Sequence, residues 1–206
     1  MKTKAMLNLV LVTGLSSAVA QELPIVTVAL VAPLSGSIAG IGKEIREAAS
    51  LTLVQARLEF RKMGFDLRLK SFDDKGSDAE GAKQAQKVIN DPYTLVVVGA
   101  VNSGVTLPVS ELLAPAHLGM VSPSSTNPKV TDRGLKNINR IVARDDDQGP
   151  TGADFILGTL GAKNVFVVDD ASVYGKGLTE QVLPVFRKAN VKLVGTVSTA
   201  ERKNLK

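Results

Sequence analysis

The chain has no cysteine and no tryptophan, and only one histidine, two tyrosines and six phenylalanines among its 206 residues. Without cysteine there is no disulfide framework, no thiolate metal site and no thiol nucleophile. A lipid anchor on a cysteine behind a leader is likewise not expected. So few aromatic rings leave no stacking surface for bases or rigid sugars. The lone imidazole, His117, lies in Pro-Ala-His-Leu-Gly at an expected helix end, where a satisfied or exposed side chain is the ordinary reading. No G-x-S-x-G, H-E-x-x-H or G-x-x-x-x-G-K-[ST] string occurs, so catalysis has little to rest on and no enzyme is expected. The glycines of the Leu34-Ser35-Gly36 loop lack G-x-G-x-x-G spacing, and no nucleotide or other cofactor is expected. Asp73-Asp74 and Asp145-Asp146-Asp147 lack the alternating spacing of a cation loop. They read as solvated loop carboxylates and helix caps, with no metal.

Net charge is modest. The formal net charge is +5, and the lysines and arginines are scattered instead of clustered, the pattern of solvated faces and not of a nucleic-acid footprint. Met1-Lys2-Thr3-Lys4 opens the chain, an apolar stretch runs from Ala5 to Leu15, and Ala18-Val19-Ala20 makes a small-x-small cleavage site before Gln21. Residues 1–20 are therefore expected to be a secretory signal peptide. No second long apolar run follows. The expectation is a soluble, unanchored, monomeric protein released into a bacterial periplasm.

The remaining length allows one domain with a real core and part of another. Ile25–Val31 is a near-continuous apolar run rich in β-branched residues, as in a strand buried on both faces. A helical pattern at 41–62 follows, with Ile45, Ala48, Ala49, Leu53, Ala56 and Phe60 at three- and four-residue spacing. Then come a strand at 66–72, a helix at 79–90, a strand at 94–98, a helix at 105–116 and strands at 118–122 and 138–143. This βα alternation predicts an α/β fold with a doubly wound, mainly parallel sheet. Residues 21–143 are expected to form a complete or nearly complete first lobe. Residues 144–206 are expected to be a hinge crossing and a partial second lobe, with a helix at 151–160, a strand at 164–168, a loop at 169–177, a helix at 178–188 and a strand at 191–197. Two strands are too few for an independent sheet, so partner strands come from another chain or the sequence is truncated.

Two predicted neighbouring strands end in hydroxyl-rich clusters: Asn102-Ser103-Gly104 after one, and Ser124-Ser125-Thr126-Asn127 after the other. Capping and turn chemistry also favour such residues. Two clusters side by side, with the 33–42 loop of a third strand, point instead to a ligand. Hydroxyls and backbone N–H groups at helix N-termini hold a small anion such as a carboxylate without needing arginine. Tyr174, flanked by glycine in an expected loop, would close over such a ligand.

Five segments carry a resemblance: V-A-P-L-S-G at 31–36 with Gly42, N-S-G-V-T at 102–106, S-P-S-S-T-N-P at 122–128, D-D-Q-G-P at 146–150 and D-x-x-x-Y-G-K-G at 170–177. Together they resemble the periplasmic leucine/isoleucine/valine-binding proteins, type I solute-binding proteins of branched-chain amino-acid ABC transporters. The resemblance implies a periplasmic-binding-protein-like type I clamshell that captures an amino acid for a permease and ATPase complex. An amino-acid or amide sensing receptor domain is the alternative. It further implies that Ser103 and Thr126 bind the α-carboxylate through hydroxyls. Ser124 and Ser125 would form a backbone-contributing pair that also touches the ammonium group. Asn102 and Ile41 would wall the pocket, with Ile41 standing where relatives often carry an aromatic residue, and Tyr174 would fold over the ligand. Relatives are longer, and their completed second lobe supplies a carboxylate for the ammonium group, which leads to the expectation that this sequence is C-terminally truncated.

Overall fold

The computed structural model describes residues 22–200; the expected signal peptide at 1–20 lies outside the described residues. Five strands form one parallel sheet: β1 (Ile25–Ala32), β2 (Asp66–Asp73), β3 (Thr94–Gly99), β4 (Gly119–Ser122) and β5 (Ile138–Arg140), in the order β2-β1-β3-β4-β5. This is the doubly wound α/β arrangement that the alternating pattern predicts. The long helix α1 (Ala39–Lys62) covers one face, where Leu30, Ala32 and Val101 pack with Leu34, Ile45, Leu69 and Val98. Helices α2 (Asp78–Ile89) and α3 (Ser103–Leu113) cover the other. There Ala29, Val31, Val97 and Met120 of the strands meet Ala85, Val88, Val105, Val109 and Leu113 of the helices. Because β1 is buried on both faces, its sequence shows no alternation.

The strand order reverses direction between β1 and β3, so the loops after these two strands run to opposite faces of the sheet and part at its carboxyl edge. A crevice opens there, the place where sheets of this kind bind ligands.

A short helix, α4 (Lys129–Asp132), has no counterpart in the sequence reading; four residues are too few to show a period. Two further boundaries differ. The polar segment read as a crossing is mostly helix, α5 (Asp145–Asp154), which passes into a five-residue π turn, Phe155–Thr159. Gly149-Pro150 suggested a break, but Gly149 is there for close approach, since a Cβ on it would press into Gln181. After β6 (Asn164–Asp169), helix α6 (Val173–Lys188) begins five residues earlier than expected. Ser172 caps it by accepting the Gly175 N–H at 2.9 Å, so the glycines read as loop lie inside the helix. Strand β7 (Lys192–Ser198) pairs with β6 in parallel, and the two make a separate sheet.

Candidate ligand-binding site

A cavity of about 380 Å³ lies at the carboxyl edge of the five-stranded sheet, lined by Ile38, Ile41, Val101, Asn102, Ser103, Ser124, Thr126, Asp170 and Tyr174. Six of the seven residues singled out in the sequence are brought together here: Ile41, Asn102, Ser103, Ser124, Thr126 and Tyr174. A hollow of about 410 Å³ at the opposite edge, beside Glu22, Ile25, Asp66 and Arg68, holds none of them.

Each wall has a local cause. Ile38 and Ile41 stand at the start of α1, which is held against the β1 loop by Gly42. A Cβ there would collide with the Pro33 carbonyl, so only glycine allows this approach. The loop itself is tied down by Asp73, whose carboxylate accepts the Leu34 and Ser35 N–H groups at 2.8 and 3.2 Å and the Ser35 hydroxyl at 2.6 Å. Burial works against ionisation of Asp73, but the Ser35 hydroxyl and the Lys75, Leu34 and Ser35 N–H groups outweigh it and hold the carboxyl below its usual range.

Helix α3 starts at the cavity without a side-chain cap: the Asn102 side chain makes no capping hydrogen bond. Its Oδ1 is buried without a partner. An uncapped helix N-terminus combines free N–H donors with the positive end of the helix dipole, and it favours an anion. Ser103 and Thr126 line the cavity beside it. Ser103 Oγ also accepts the Asn127 N–H at 3.3 Å, which ties the α3 end to the loop after β4.

Ser125 stands apart from the other six. Its side chain is buried behind the wall, 2.7 Å from Thr106 Oγ1 and within 3.1 to 3.2 Å of the Val101 and Ala100 carbonyls. Its N–H donates to Ser122 Oγ at 3.0 Å. Both groups point into the protein.

Tyr174 lies in the first turn of α6 and not in a loop, because the helix starts early. Its hydroxyl accepts from Gln148 Nε2 at 3.1 Å, which fixes the ring between α5 and α6 at the cavity mouth. The two units meet closely around it. Asn127 Nδ2 donates to the Val173 carbonyl at 3.4 Å, and a Cβ at Gly177 would collide with that same nitrogen.

Two carboxylates read as solvated loop residues are instead fully buried. Asp74 has no exposed surface, accepts the Gly76 N–H at 2.8 Å and keeps Oδ2 unpartnered. Burial pushes its carboxyl up to about 6, with the Asp73 charge adding to the effect. Asp145, the first residue of α5, is also fully buried, and burial raises its carboxyl while the Thr126 hydroxyl and the Arg140 charge act the other way. Sequence position alone cannot separate these from their exposed neighbours, since burial is a property of the assembled layers.

Three contributors were not foreseen. Val101 and Ile38 add apolar surface, and Asp170 brings a carboxylate from the β6–α6 turn to the cavity, where its Oδ1 also accepts the Ser172 N–H at 3.0 Å. Asp170 stood within the D-x-x-x-Y string and offered no sign of its direction. Arg140 lines nothing, yet it donates to the Ser125, Asn127 and Pro128 carbonyls at 3.3, 2.9 and 3.2 Å and to Thr131 Oγ1 at 2.6 Å, holding the whole loop that presents Ser124 and Thr126.

The family described as Periplasmic binding protein matches residues 25–203. The chain belongs to that family. Its relatives include the Leu/Ile/Val-binding protein BraC3 of Rhizobium johnstonii, 37% identical over 155 residues, which are 75% of this chain and 42% of that one. The Leu/Ile/Val-binding protein of Escherichia coli is 30% identical over 82% of this chain and 46% of its own length. Among solved structures, the leucine binding protein LivK of Thermotoga maritima superposes with a TM-score of 0.77 at 26% identity, over 87% of this chain and 50% of that one. LivJ of Streptococcus pneumoniae, solved in complex with isoleucine, shares the fold with a TM-score of 0.75 at 24% identity, over 88% and 52%. This periplasmic binding protein thus spans about half the length of the relatives it matches. Those relatives are named as binding proteins and not as enzymes. Among the described residues, no helix of this family member is long and apolar enough to cross a membrane.

Proposed function

We propose that this periplasmic binding protein captures an amino acid, branched-chain or similar, through its α-carboxylate and delivers it to an ABC permease and ATPase complex. One observation carries the reading: the uncapped start of α3, Ser103 and Thr126 line one cavity together with the aliphatic Ile38, Ile41 and Val101. The polar side suits a carboxylate and the apolar side a short branched side chain. Tyr174 closes the mouth from the 144–206 unit, with the hinge at the Arg144 crossing. The relatives named for leucine, isoleucine and valine support this chemistry. The leader-like residues 1–20 support export, and the soluble protein acts in the periplasm. Isothermal titration with leucine, isoleucine, valine and small amides tests the proposal. Saturable binding of one of them is expected, and a flat titration with all of them at millimolar concentration overturns it.

A further inference from the structure

Asn102 stands at the start of α3 in the extended conformation from which an asparagine side chain accepts N–H groups of the first turn. It does not do so, and its Oδ1 is buried with no partner among the described residues. Capping, the ordinary reason for an asparagine at a helix start, therefore goes unused. A buried polar atom left in this way calls for a partner from elsewhere.

The surroundings of the amide say what that partner is. Asn102 lines the cavity of about 380 Å³ and also a smaller hollow of about 170 Å³ beside Ser77, Gly104 and Val173. With space on both sides and no cap to hold it, the carboxamide can turn about its last torsion and present either its oxygen or its NH2 group. A hydroxyl both donates and accepts, so it pairs with either end. Ile38, Ile41 and Val101 line the same cavity and suit a methyl group. A short branched side chain with one methyl and one hydroxyl meets both demands. A side chain with two methyls leaves the amide unsatisfied once the ligand has displaced the water, and a buried polar group without a partner is costly.

We infer that Asn102 reads the side chain of the bound amino acid and selects a hydroxyl, so that threonine is preferred to valine, which has nearly the same shape. This selection rests on the cavity being an amino-acid site, and it narrows the ligand class. Sites that hydrogen-bond a ligand hydroxyl reject the analogue lacking it more strongly than apolar pockets reject an extra methyl. Valine still binds, but less tightly.

Isothermal titration with threonine, valine and leucine tests this. In the parent protein threonine should bind several-fold tighter than valine. Asn102→Leu keeps the shape of the side chain and removes its polar atoms, and in it the order should reverse, since the second methyl of valine then meets an apolar wall. Asn102→Gly, a residue that suits a helix start, removes the amide altogether and should abolish the preference, which keeps the test decisive if Asn102→Leu does not fold. Valine binding as tightly as threonine or tighter in the parent protein overturns the inference and leaves the amino-acid reading standing. So does a threonine preference that persists in either folded variant, which assigns the hydroxyl to another partner such as Ser124. A flat titration with all three ligands at millimolar concentration overturns both.

Discussion

The hydroxyls of Thr106 and Ser125 stand 2.7 Å apart in the interior, one on α3 and the other on the loop after β4. They join the two halves of the cavity wall from behind, and the Ser125 hydroxyl is also within reach of the Ala100 and Val101 carbonyls. A residue so placed supports the wall and does not face the cavity. Ser125→Ala is expected to lower unfolding free energy by about 1–3 kcal/mol, the penalty for leaving a buried polar partner unsatisfied, as read by urea denaturation. Thr126→Ala should do the reverse, weakening leucine binding by about 1–3 kcal/mol with less effect on stability. Equal loss of affinity in both variants would place Ser125 at the ligand.

Asp74 predicts a pH dependence. Its carboxyl is raised to about 6 in the fold against 3.8 as the ordinary value, so the folded state disfavours its charge. The favourable contribution of the protonated form is complete below pH 3.8 and is lost as pH rises through 6. The difference is on the order of 3 kcal/mol at one pK unit per 1.36 kcal/mol. Asp74→Asn keeps an oxygen for the Gly76 N–H and removes the charge. Its stability, measured by denaturation across that range, should exceed that of the parent at pH 8 and match it near pH 4. A constant difference at all pH values would assign the effect to packing.

Asp170 predicts ligand selectivity. It brings a carboxylate into the same cavity as Ser103 and Thr126, where the ammonium group of a bound amino acid would be attracted and a simple carboxylic acid would gain nothing. Asp170→Asn should weaken leucine binding several-fold and leave 4-methylpentanoate, which lacks the ammonium, unchanged or improved. Parallel titrations of the two ligands distinguish this from a general loosening of the β6–α6 turn, which would weaken both.

The parts of this molecule that obey a local period could be read from the sequence. The strands at 25–31, 66–72 and 94–98, the inward stripe of α1 and the two hydroxyl clusters follow from side-chain spacing alone. Where residues answer to a distant neighbour, the reading failed. Gly149, Gly175 and Gly177 were taken as chain breakers, but they sit inside helices because Gln181, Asp170 and Asn127 press against them. Asp74 and Asp145 were taken as solvated because the covering layers lie elsewhere in the chain. The inward turn of Ser125 depends on Ser122, Ala100 and Thr106, and none of these contacts has a sequence period.

Arg140 is the clearest such case and yields the last prediction. It ends β5, far in sequence from α3, yet its guanidinium binds three carbonyls of the loop that carries Ser124 and Thr126 and a hydroxyl of α4. A rigid fork with several donors can meet that many acceptors at once, whereas a lysine ammonium is a single point on a flexible stem. Arg140→Lys keeps the charge and should still release the loop. The amides of residues 124–131 are expected to exchange faster with deuterium while those of β1 and β3 keep their protection, because only the clamp has changed. Leucine affinity should fall along with that protection, since loop order lost in the free protein must be restored on binding. If the loop amides stay protected and affinity is unchanged, the carbonyls are held by the α4 turn and Arg140 is dispensable to the site.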